Sequence, residues 1–126
     1  MSDFTDYSGS ILEIDDSRYL NFDILYMANG GKEIEVEIEK VEQPQPGSKF
    51  ETQQPINRKF PIIHFKGEGV VTRRLWYVRQ KKNLKVIGKL LGPRMENWPG
   101  GKITLYPDPN VRYAGEKVGG IVVKLK

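Results

Sequence analysis

The side chains most able to do chemistry lie between Arg58 and Arg94, and that chemistry is the binding of anions and flat rings. This block holds eleven bases against Glu68 alone, a net of +10, with Phe60, Phe65, Trp76 and Tyr77 set among them. Such a block draws polyanions, and each phosphate it neutralises adds affinity through counterion release. Aromatic rings in the same surface stack on bases whatever their identity. Catalysis has much less to work with. His64 is the single histidine and cysteine is absent. No serine or cysteine nucleophile motif accompanies His64, and the phosphate loop G-x-x-x-x-G-K-[ST] is missing. Two-metal nuclease chemistry needs clustered carboxylates, whereas the acids here sit mostly in the first third, outside the basic block. The expectation is a binding protein: no enzyme, no cofactor, no metal.

Those residues need elements that bring them to one surface. From Arg73 to Gly92 a strand, aromatic and β-branched, passes into a helix. Leu84, Ile87, Gly88 and Leu91 fall at i, i+3, i+4 and i+7, a single helical face. Asn83 is the expected N-cap, Gly92 the glycine past the end, and Pro93 bars continuation. Lys32 to Val41 is the clearest strand, because Ile34, Val36 and Ile38 alternate with Glu33, Glu35, Glu37 and Glu39. Acids alternating along a strand face solvent far more often than they hold metal. Lys59 to Lys66 is a second strand, and Gly67-Glu68-Gly69 turns into a third at Val70 to Arg79. Lys102 to Tyr106 is a fourth, broken by Pro107-Asp108-Pro109-Asn110. Val111 to Val118 forms a small hairpin and Ile121 to Leu125 the last strand. Residues 42–58 make a long polar loop. The run after Arg18 packs, as a short helix or an irregular lead-in, up to the break at Asn29-Gly30-Gly31.

The overall charge of +4 conceals an asymmetry, since residues 1–50 carry eleven acids and only four bases. Residues 1–17 are acidic with little apolar periodicity and are expected as a flexible arm ahead of one domain, 18–126. At 126 residues the chain can bury a core without metal or disulfide support. Lack of cysteine excludes thiolate sites and suits a reducing compartment. No apolar run approaches the roughly 20 residues of a membrane span, and the opening, with Asp3 and Asp6, has no secretory h-region.

Three strands, a helix and two strands is the order of the OB-fold, so the expected class is all-β with one helix. The expected architecture is a five-stranded OB-fold-like Greek-key barrel, its helix between strands three and four. Rival folds are an SH3-like barrel and an unrelated α+β sheet. In OB-folds, strands two and three and the loops joining strands one to two and four to five form the oligonucleotide surface. Side-chain parity groups Arg73, Leu75, Tyr77 and Arg79 on one face and Arg74, Trp76 and Val78 on the other. Polarity turns the first set outward and leaves Trp76 and Val78 for the core. By the same rule Phe60, Ile62, His64 and Lys66 face out and Pro61, Ile63 and Phe65 face in. A one-residue slip exchanges Trp76 for Tyr77. The expected nucleic-acid contacts are Lys59, Phe60, His64, Lys66, Arg73, Tyr77, Arg79, Lys81 and Lys82, with Arg112 and Tyr113 in the loop between the last strands. Phe60 and Tyr77 stack bases while the cations take phosphates. The plainer alternative is a solvated basic face over aromatics that only fill the core. Lys81 and Lys82 oppose the dipole at the helix start, which phosphate contact explains. Trp98 is expected to pack beside the helix as a structural residue.

The tail Trp98-Pro99-Gly100-Gly101-Lys102-Ile103-Thr104-Leu105-Tyr106-Pro107, continuing to Val111, Gly115, Val118-Gly119-Gly120-Ile121 and Val123, resembles a family of small phage and prophage proteins. That family shares a Trp-x-Gly-Lys-x-Ile-x-Leu-Tyr segment, a Val…Phe-x-Gly loop and a Gly-Ile-Arg-Val ending. The chain departs from it in an extra glycine before Lys102 and in Val122, where the family often has Arg. Arg79-Gln80-Lys81-Lys82-Asn83 keeps only the lysine and asparagine of the family's Leu-Asn-Lys-Thr-Asn-like run. Ser17-Arg18-Tyr19-Leu20 and the first strand match more weakly. The resemblance implies a phage origin, hence the cytoplasm of a bacterial host. At fold level it is similar to phage single-stranded-DNA-binding proteins of replication and recombination. Single-stranded DNA is then the expected partner, with replication or recombination proteins docking on the acidic arm. The alternative is a phage protein–protein interaction module, structural or host-modulating, that binds no nucleic acid.

Overall fold

The glutamate-flanked run Ile34, Val36, Ile38 builds the central strand, and the other elements are laid around it. In chain order the elements are α1 (Ile11–Ile14), α2 (Phe22–Ala28), β1 (Ile34–Glu42), β2 (Ile62–Phe65), β3 (Trp76–Tyr77) and α3 (Lys81–Leu91). After a 3₁₀ turn at Met95–Asn97 come β4 (Lys102–Asp108), β5 (Arg112–Tyr113), β6 (Glu116–Lys117) and β7 (Gly120–Lys124). The computed structural model describes residues 10–14, 17–44, 47, 59–113, 116–117 and 119–125. Five strands form one antiparallel sheet in the order β3-β2-β1-β4-β7, and β5 and β6 pair separately. The run β3-β2-β1-β4, in which β4 returns beside β1, is a Greek-key order. The sheet is open.

β1 serves two partners. Its first half pairs with β4 and its second with β2, and the register shifts between Ile38 and Lys40. That bulge adds one residue and flips the alternation. Val36 and Ile38 are buried before it; after it Val41 packs on the core while Lys40 is exposed. β4 runs on through Pro107 to Asp108, past the break expected after Tyr106. Pairing with β1 ends at Leu105, so Pro107 lies where β4 has β7 as its only neighbour.

The run after Arg18 resolves into helix α2. Asn21 caps it, its side chain accepting from the Ile24 N–H at 2.9 Å, and Ile24 and Leu25 are buried. Gly30 and Gly31, at φ 62° and 82°, end it. In the segment expected as an arm, residues 1–9 and 15–16 lie outside the described residues. Ile11–Ile14 forms one helical turn, and Leu12 is buried in the core.

Three local expectations are corrected. The third strand does not run from Val70 to Arg79. Thr72 Oγ1 accepts from the Gly69 N–H and Arg73 N–H donates to Gly69 O, so 69–73 coil into a turn and only Trp76–Tyr77 pair with β2. Ile62, expected outward, is buried, although Ile63 and Phe65 face the core as expected. Asn83 is not the N-cap of α3; Gln80 holds that place without a side-chain cap. Asn83 is buried, and its carboxamide donates to Ile121 O at 2.7 Å and accepts from the Val123 N–H at 3.0 Å. It thereby occupies the outer edge of β7. Just ahead of β3, Leu75 is taken by the chain before α2: Leu20 N–H donates to Leu75 O and Leu75 N–H to Arg18 O, a parallel bridge. β3 and β7 do not pair with each other, so the sheet does not close on itself. α3 ends as expected at Gly92, φ 98°, and Trp98, buried, donates from Nε1 to Gly92 O at 2.8 Å.

Candidate nucleic-acid interface

β2 and β3 run antiparallel with Ile62 opposite Tyr77 and Ile63 opposite Trp76. The parity expected for β3 holds: Trp76 is 4% exposed and stacked on Phe65 at 6.3 Å, and Val78 is buried. Tyr77 is half-buried on the other face. There its ring meets the half-buried Phe60 ring edge-to-face, at 6.4 Å and 87°. Lys59 Nζ lies 5.8 Å from the Phe60 centroid. Val78 N–H donates to Pro61 O at 3.0 Å, which carries the ladder one step further and brings Arg79 to the Phe60 end. α3 begins two residues later with Lys81 and Lys82. Arg79, Lys81 and Lys82 are exposed and form no ion pair among the described residues. The helix N-terminus behind them has no acid in its first turn, so dipole and lysines favour an anion together. Beside the ring pair is a groove of about 330 Å³ whose lining includes Lys59, Phe60, Pro61 and Met95 together with two carboxylates, Glu42 and Glu96.

The remaining expected contacts are placed otherwise. His64 Nε2 lies 2.7 Å from Glu42 Oε1, which also meets Lys40 Nζ at 2.9 Å. Lys66 Nζ lies 3.7 Å from Glu37 Oε2. The β1 acids, remote from the basic block in sequence, are thus its neighbours in the sheet. Lys40, and His64 with it, holds the Glu42 carboxyl below the ordinary carboxylate range, against a desolvation that pushes the other way. Arg73 donates from Nη2 to Leu12 O at 3.1 Å, at the opposite end of β3 from Arg79. Arg112 is exposed on the β5–β6 hairpin, and Tyr113 is described only through its backbone pairing with Glu116.

Sequence reasoning missed the part played by Arg74. At 2% exposed, its guanidinium donates to three backbone carbonyls: Ser17 at 3.1 Å, Leu12 at 3.5 Å, and Val70. The signal was its parity with Trp76 and Val78, which places it inward despite its charge. Met95 and Pro99, on the groove, follow the helix in a turn without periodicity, and no pattern marks them.

Among the described residues no group of three or more acids or histidines is placed to hold a metal ion. None of their helices is long and apolar enough to cross a membrane. No family model, no curated protein and no solved structure matches the chain.

Proposed function

We propose that the protein binds single-stranded DNA with little sequence preference. The observation that carries this reading is the Phe60–Tyr77 ring pair, flanked by Lys59 and leading into the exposed Arg79, Lys81 and Lys82. Rings of this kind offer a base a stacking face worth about 1–3 kcal/mol, and the cations track the backbone. The strand order adds support. A Greek key with a helix between its third and fourth strands, and the last strand beside β4, suits an OB-fold-like barrel left open, whose strand two and three face is the usual oligonucleotide surface. A phage role in replication or recombination, in the cytoplasm of a bacterial host, draws on the sequence resemblance of the Trp98–Val123 segment. Titration of labelled oligo-dT at two salt concentrations tests the binding. Affinity should fall steeply with salt, as phosphate neutralisation requires. Undetectable binding at micromolar protein and low salt would overturn the proposal.

A further inference from the structure

We infer a second site, on the exposed flank of α3: a groove that takes an acidic peptide segment through one bulky apolar anchor. The groove holds about 420 Å³ and is lined by Leu84, Gly88, Met95 and Trp98, with the exposed Lys85 and Lys89 beside them. A volume of this order accommodates a large side chain, and the methionine adapts to its shape.

Two features of α3 cost stability and find no reason among the described residues. The first is Gly88. Glycine inside a helix costs roughly 0.5–1 kcal/mol relative to alanine. Its φ is not positive, and a Cβ there would meet nothing within 4 Å. Neither backbone conformation nor packing demands a glycine; what it does is keep the groove open. The second is Lys85, which has a like charge four residues away on either side, Lys81 and Lys89, an arrangement that weakens a helix and that the dipole offsets only at Lys89 in the last turn. Lys85 and Lys89 form no ion pair among the described residues. An acidic segment lying along the helix supplies the missing counter-charge, while its anchor fills the space over Gly88. Nucleic acid suits this surface less well. Stacking needs an open ring face, and the one ring here, Trp98, is 2% exposed with its Nε1 bound to Gly92 O.

The test uses the full chain and a fluorescein-labelled synthetic acidic peptide carrying one phenylalanine, with a control in which serine replaces it. The phenylalanine peptide should bind about tenfold or more tightly than the control, as an anchor residue requires. Gly88→Leu, which fills the groove, should abolish that preference while the melting temperature stays at or above wild type and oligo-dT binding is unchanged. Lys85→Glu with Lys89→Glu should weaken the peptide through charge, without touching the floor. The inference is overturned if the phenylalanine peptide shows no saturable binding at low salt, or if Gly88→Leu leaves its affinity intact. It is equally overturned if oligo-dT displaces the peptide and Gly88→Leu weakens both alike, which would make the groove part of the nucleic-acid surface.

Discussion

The two ends of β3 carry the same residue type to opposite ends. Ahead of the strand, Arg73 and Arg74 turn to backbone carbonyls, and Arg74 is buried among Leu12, Ser17 and Val70. Beyond the strand, Arg79 and then Lys81 and Lys82 remain exposed with no ion pair among the described residues. Counting charge does not separate these groups. Proximity to unpaired carbonyls does, because a buried carbonyl without a donor is costly and a guanidinium carries five donors. The basic block therefore divides into cations that hold the fold, groups set against β1 acids (Lys66, with His64 beside it), and cations left open to a ligand.

The largest effect separates the two ends by stability. Arg74→Ala strips the guanidinium donor from Ser17 O and Val70 O, while Leu12 O keeps its bond from Arg73, with a desolvation cost of about 1–3 kcal/mol for each carbonyl left unpaired. Urea denaturation should show a loss on the order of 3 kcal/mol or more, whereas Arg79→Ala should stay within about 0.5 kcal/mol of wild type, as exposed substitutions do. If Arg74→Ala unfolds with wild type, its contacts stabilise nothing and the contrast collapses.

Next comes the ring pair. Tyr77→Ala should weaken oligo-dT binding by roughly 1–3 kcal/mol while changing the salt slope little, since it removes no phosphate contact. Trp76→Ala makes the opposite mark: a loss of about 3–5 kcal/mol of stability as a core truncation. A Trp76→Ala protein that melts like wild type would mean that the buried face has been assigned to the wrong side of the strand.

Local patterns made much of this legible. Alternation identified β1, helical spacing identified α3 and Gly92-Pro93 its end, and parity sent Trp76 and Val78 inward. What escaped was set by partners distant in sequence. Asn83 has the chemistry of an N-cap, but its carboxamide is claimed by Ile121 and Val123, some forty positions later. The pairs Glu37–Lys66 and Glu42–His64 depend on the β1–β2 register, which the bulge after Ile38 shifts by one. The apolar residues do change phase there, from Ile38 to Val41, but the partners that the shifted register selects on β2 do not follow from that pattern. Arg74 shows two rules in conflict, parity inward and charge outward, and the carbonyls of Leu12, Ser17 and Val70 decide between them.

A smaller effect compares open cations with paired ones. Arg79→Ala should lower the slope of log K against log salt by nearly one unit, the loss of one phosphate contact. Lys66→Ala should lower it by less, because Glu37 already offsets part of that charge. Equal slopes would show that the Glu37 pairing, at 3.7 Å and on the surface, does not hold Lys66 back from a ligand.

The smallest effect lies at Glu42, where the contrast is tuned by pH. Lys40 at 2.9 Å and His64 at 2.7 Å both face its carboxylate, and the Lys40 hydrogen bond is the largest cause of its lowered pKa. A carboxyl whose folded pKa lies below its unfolded value contributes stability above the unfolded pKa. That contribution is lost as pH falls through the folded pKa. An NMR titration of the Glu42 side chain should therefore find it below the ordinary glutamate range in the wild-type protein. Lys40→Ala should raise it toward that range, and His64→Ala should raise it by less. The effect on overall stability should be slight, because both partners are partly solvated. If neither substitution moves the titration, Lys40 and His64 are not committed to Glu42. They would then join Arg79 and Lys82 among the side chains open to a ligand, and the interface would extend across β2 to the edge of β1.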